Sequence, residues 1–140
     1  MTWITYALLS ALFASLVAIF GKIGIKGVDS NLAVAIRTVI IVIFAWGIVA
    51  LQGNAGDLFK ISKYSYIFII LSAIATGLSW LFYYKALQMG EASRVAPIDK
   101  LSIALTIILA FVVLGEKPNV GNVVGGILVT AGVLATVFIK

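Results

Sequence analysis

Hydrophobic positions fall into five long runs, Trp3 to Phe20, Leu32 to Leu51, Tyr66 to Tyr84, Val95 to Leu114 and Val120 to Ile139. Each run is apolar on every face and is close to the ~20 residues a helix needs to cross ~30 Å of hydrocarbon. Membrane β-barrel strands are shorter and alternate in polarity, so the runs predict helices. Glycine, proline, asparagine and charge gather between the runs, in "GKIGIKGVDSN", "QGNAGDLFKISKYS", "QMGEAS" and "GEKPN". The expected fold is an all-α integral membrane protein, with residues 1–140 forming a single domain of five transmembrane helices. These connections leave no room for a second domain, so the function belongs within the bilayer. The first run has no basic segment before it and is long for a signal sequence, so it is expected to be retained.

Composition agrees with this pattern: 63% of residues are hydrophobic and 11% charged, too little polar surface to cover a water-soluble domain of 140 residues. The chain has no cysteine and no histidine. That removes disulfides, thiolate and imidazole metal sites, haem ligation and every Ser-His or Cys-His nucleophile. A Ser-Lys pair, Ser79 or Ser102 with Lys85 or Lys100, lacks the strand-turn-helix setting of a nucleophile, so no enzyme, cofactor or metal is expected. The net charge of +5 is scattered over loops and helix ends, without the basic stripe that nucleic acid requires; the bases suit anionic lipid headgroups instead.

Loop charges give little orientation. One side carries Lys60, Lys63 and Lys117, and the other Lys22, Lys26, Arg94 and Lys140. Counting Arg37, Lys85 and Lys100 with the second side would set the N-terminus outside. The near balance suits a protein inserted in both orientations.

Charges inside the spans are the candidate chemistry. Arg37 lies about five residues into the second run, roughly 8 Å along the helix. Two readings stand: the side chain reaches back to the headgroups, or it faces a polar cavity and recognises a carboxylate or phosphate. Lys85, near the end of its run, suits the first. Asp99 is the one acid of the five within a run. With Ser93 as N-cap or Pro97 in the first turn, it would be a carboxylate at a helix start. It would also serve as counter-charge to Arg37 or Lys100, or, held at a helix end inside a membrane, as a proton or cation site. Asp99, Ser102 and Thr106 share one helical face, as do Ser72, Thr76, Ser79 and Tyr83, with Trp80 and Tyr84 beside them. Hydroxyls also glue membrane helices together, but two such stripes fit a shared wet or ligand-lined space. In the fifth run Gly121, Gly125 and Gly132 share a face, with Gly126 beside it, and suit close helix packing or a dimer face; Ala7, Ala11 and Ser15, or Ser10, Ala14 and Ala18, of the first run suit close packing too.

Four fragments carry a resemblance: "NLAVAIRTVI" in the second run, "WLFYYKALQMGEASRVAP" joining the third to the fourth, "LGEK" closing the fourth, and "GGILVTAGV" in the fifth. In this order the chain resembles the EamA-domain branch of the drug/metabolite transporter superfamily, in its single-domain, five-span form. The resemblance implies a multi-pass inner-membrane transporter of small metabolites working by alternating access, through a cavity lined largely by the third and fourth spans. The positions it implicates are Arg37, Trp80, Tyr83, Tyr84, Pro97, Asp99 and Lys100. Ten-span relatives are inverted repeats of two such domains, so the five-span chain implies an antiparallel homodimer. Its partners are then a small-molecule substrate, the lipid bilayer and a second copy, with no nucleic acid. The rival readings are a non-transporting assembly subunit or lipid-flipping partner and, more remotely, an intramembrane enzyme.

Overall fold

The computed structural model describes residues 2–117 and 119–139. Lys140, counted in the charge balance, and Pro118 of the fourth loop lie outside them, as does Met1. The elements are α1 (Trp3–Gly24), α2 (Ser30–Leu51), a 3₁₀ helix (Asn54–Lys60), α3 (Lys63–Met89), α4 (Ala92–Asp99), α5 (Leu101–Val113) and α6 (Val120–Phe138). No strand occurs among the described residues. Among the described residues five segments are long and apolar enough to cross a membrane, α4 and α5 counting as one, Ala92–Val113. The protein is an all-α membrane protein.

Local chemistry sets where the helices begin and end. The Asp29 carboxylate accepts from the backbone N–H groups of Asn31 and Leu32, both at 3.0 Å, satisfying donors that the first turn of α2 leaves open. Asn119 does the same for α6 through Gly121 N–H at 2.8 Å. After α2 the chain turns at Gly53, with φ +72, a conformation that L side chains resist. The second loop carries more order than its sequence suggests. Its 3₁₀ helix packs on the end of α2, and the Tyr66 hydroxyl donates to the Leu58 carbonyl at 2.8 Å.

The fourth span departs from the sequence reading. Its helix starts at Ala92, with Glu91 rather than Ser93 in the capping position, and it is interrupted at Lys100. Pro97 is therefore interior to α4 and has no N–H to return to the Ser93 carbonyl. The chain tightens just beyond, where Lys100 N–H reaches Pro97 at 2.9 Å, three residues back instead of four. Asp99 ends α4 and directly precedes α5.

The chain forms two compact units, Met1–Gln88 and Met89–Lys140. In the first, Ala18, Gly21, Ile25, Ser30, Val34, Tyr84 and Leu87 are buried. In the second, α6 packs on α4 and α5, burying Gly126 and Val133. Most large apolar side chains point outward instead, as hydrocarbon-solvated surface does.

Candidate functional site

α2 brings Arg37 to the side of α3 that carries Trp80 and Tyr84, which are four residues and so one turn apart. The guanidinium carbon lies 4.3 Å from the centroid of the Trp80 ring and 5.3 Å from that of Tyr84. A cation shared by two ring faces away from water gains about 0.5–2 kcal/mol. Arg37 is thus packed against two rings of α3. Its Nη1 is buried and has no hydrogen-bond partner among the described residues. An unmet donor on a charged group is costly in an apolar setting, and an acceptor that reached it would recover that cost.

Tyr84 holds its place because α1 carries no side chain opposite it. A Cβ built on Gly21 would lie 3.1 Å from the Tyr84 hydroxyl oxygen and 3.6 Å from Leu87 Cδ1. The Tyr84 side chain is accordingly 5% exposed and Leu87 0%. One residue on, the Lys22 ammonium donates to the Leu87 carbonyl at 2.5 Å, placing a cation on the otherwise open C-terminal carbonyls of α3. Gln88 Nε2 donates to the Val28 carbonyl at 3.0 Å, and Lys85 donates to Gln88 Oε1 at 3.2 Å. Lys85, expected from sequence to reach back to the headgroups, hydrogen-bonds the residue that ties the end of α3 to the α1–α2 connection.

Beside this cluster is a cavity of about 410 Å³ between α1, α2 and the end of α3. Arg37 and Tyr84 line it together with Val17, Phe20, Ile25, Val28, Ala33, Ile36 and the two glycines Gly21 and Gly24. Trp80 braces Arg37 without lining this cavity, and Tyr83 meets Tyr84 edge-on at 6.2 Å.

The other proposed site residues lie elsewhere. Ser72, Thr76 and Ser79 are on the exposed face of α3, and the Thr76 hydroxyl is spent on the Ser72 carbonyl at 2.8 Å. Asp99 pairs with Lys100 at 3.1 Å, with side chains 35% and 50% exposed. On a continuous helix neighbours point about 100° apart; these two meet at the junction of α4 and α5. Ser102 and Thr106 are exposed on α5. The second unit has a cavity of about 470 Å³ between α5 and α6, lined by residues such as Ile107, Phe111, Asn122 and Leu134, and neither hydroxyl contributes to it. Of the α6 glycines, Gly126 faces α5, where a Cβ would meet Ile107 Cδ1 at 3.1 Å. Gly125 and Gly132 face open space, and Gly121 meets only its own cap, Asn119.

Three residues of this neighbourhood, Gly21, Lys22 and Gln88, stand outside the candidates read from sequence. Gly21 had a signal: it extends the small-residue face Ala14, Ala18 by one more turn.

The spanning helices thus carry an aromatic-braced cation beside an apolar cavity, in a membrane protein. The chain matches the EamA-like transporter family over residues 1–138 and belongs to it. It is 44% identical over 133 residues to an uncharacterized transporter in the cobO 3' region of a Sinorhizobium species, covering 95% of this chain and 94% of that protein. An uncharacterized protein of Methanocaldococcus jannaschii is 29% identical over 101 residues, covering 66% of this chain and 74% of the relative. No solved structure matches. The protein is a membrane transporter.

Proposed function

We propose that this transporter moves a small organic solute across the inner membrane by alternating access, and that Arg37 anchors an anionic group of that solute. The observation that carries the reading is the buried Arg37 Nη1, which lacks a partner while its side chain lines an apolar cavity. Trp80 and Tyr84 orient the guanidinium, and preorientation reduces the entropy lost when two donors engage one carboxylate. The functional unit is one five-span domain paired with a second, oppositely inserted copy, which would recreate a ten-span inverted repeat. Balanced loop charge and the open face of Gly125 and Gly132 support the pairing. Asp99, paired with Lys100 at the helix interruption, serves as the coupling carboxylate or as a fixed ion pair.

Purified protein reconstituted alone in liposomes tests the reading. Solute-specific flux that falls sharply in Arg37→Lys, which keeps the charge but loses the planar fork, and disappears in Arg37→Ala is the expected result. Unchanged flux in Arg37→Ala would remove the anchor role. C-terminal topology reporters giving one orientation for every molecule would remove the antiparallel dimer.

A further inference from the structure

We infer that the solute held at Arg37 is an apolar monocarboxylate carrying no cationic group, so that zwitterionic amino acids and cationic amines are poor ligands. The inference rests on the reading that the Arg37 cavity is the solute site, and it follows from what that cavity offers and lacks.

Among the described residues Arg37 is the one charged member of the lining, and the Tyr84 hydroxyl is the only other polar side-chain group. A single guanidinium balances a single negative charge. A doubly charged phosphate would leave one charge unanswered among apolar side chains, where desolvation is costly. An α-ammonium fares worse, since no carboxylate among the described residues lines the cavity to receive it. Aromatic faces are the usual alternative host for an ammonium. Arg37 already takes a face of Trp80 and of Tyr84, at 4.3 and 5.3 Å, which leaves Phe20 as the uncommitted ring among the described lining residues, and an ammonium on it would share an apolar cavity with the Arg37 cation and be repelled. The remaining wall is aliphatic and aromatic, from Val17, Phe20, Ile25, Val28 and Ile36, and the volume of about 410 Å³ is in the range of small-molecule sites.

The test compares three probes of the same shape on the purified protein by calorimetry: 4-methylpentanoate, leucine and 4-methylpentanamide. Leucine is the first acid with an α-ammonium added, and the amide is that acid without its charge. The acid is expected to bind at least about tenfold more tightly than either, the ratio set by one charged hydrogen-bonded group gained or one left unmet. In Arg37→Gln the preference of acid over amide should vanish. If leucine binds as tightly as the acid and Arg37→Gln abolishes both, the monocarboxylate class is overturned while the Arg37 anchor stands. If acid and amide bind alike, or Arg37→Gln binds the acid unchanged, both fall. Absence of binding by the acid also overturns the class. The wild-type comparison needs no variant, so misfolding of Arg37→Gln leaves the proposal open to refutation.

Discussion

Replacing Gly21 by valine probes the packing that holds the site together. A Cβ at this position would stand 3.1 Å from the Tyr84 hydroxyl oxygen and 3.3 Å from Cζ, inside ordinary contact distance, and valine adds two methyl groups to it. Tyr84 is 5% exposed and cannot swing freely aside. In water a helical glycine substitution would regain up to about 1 kcal/mol of backbone entropy. In lipid that gain is small, because unpacked spans keep their backbone bonds and stay helical. Overpacking therefore dominates, at about 1–3 kcal/mol. Pushing the ring from Arg37 also loosens a contact worth about 0.5–2 kcal/mol, so solute affinity should drop along with stability. Unfolding in dodecyl maltoside with rising SDS fraction measures the first effect and calorimetry the second. Gly77→Val is the control, since nothing lies within 4 Å of a Cβ on Gly77. Tyr84→Phe removes the atom at 3.1 Å and should partly rescue Gly21→Ala, giving a non-additive double-mutant cycle. Gly21→Val matching wild type in both stability and binding, or a cycle additive within about 0.5 kcal/mol, would refute the packing reasoning.

Asp29→Ala removes an acceptor shared by two N–H groups of α2 and should cost about 1 kcal/mol in the same unfolding assay, with Asp29→Asn nearly neutral. Lys22→Met should destabilise by about 1–2 kcal/mol, since it leaves the Leu87 carbonyl without its charged donor. Gly125→Leu and Gly132→Leu should leave the unfolding midpoint within about 0.5 kcal/mol of wild type, as surface changes do, yet lower the dimer fraction seen by crosslinking. An unaltered dimer fraction would move the interface off this face. Asp99→Asn should retain solute exchange in liposomes and lose pH-driven accumulation if Asp99 couples protons; full accumulation assigns it to the ion pair with Lys100.

The spans were legible because lipid demands long unbroken apolar runs, and little else in a 140-residue chain makes such runs. Their ends were less legible. α3 continues to Met89, beyond the last hydrophobic residue of its run, because Lys85 and Gln88 are sound helix formers that hydrogen-bond each other across one turn. α1 likewise runs to Gly24, through residues whose glycine and lysine content suggests a loop. The fourth span misled for a different reason. Proline favours a first turn, but its weakness inside a helix is local and tolerable, and Pro97 sits near the end of an eight-residue helix. At the site, Arg37 with Trp80 and Tyr84 was readable as an intramembrane charge and an i, i+4 aromatic pair. That Trp80 and Tyr84 pack on the arginine depended on the approach of α2 to α3, which one-dimensional spacing does not encode.

The charges within the spans differ in how they are answered. Asp99 and Lys100 neutralise each other beside a helix break, with part of each side chain exposed. Lys85 is exposed near a helix end and bonds to Gln88. Arg37, about 10 Å into α2 at 1.5 Å per residue, has two ring faces but no acidic partner among the described residues. Rings stabilise a cation without cancelling it. If Arg37 is the anchor, an unloaded site keeps a net positive charge in a low-dielectric setting and a monocarboxylate makes it neutral. Reorientation that carried the site through a drier intermediate would then be easier loaded than empty, since moving an unpaired charge out of polar surroundings costs several kcal/mol. A carrier built this way favours exchange of one monoanion for another over net one-way flux. The same uncancelled charge that selects the solute would thus limit how the empty protein returns.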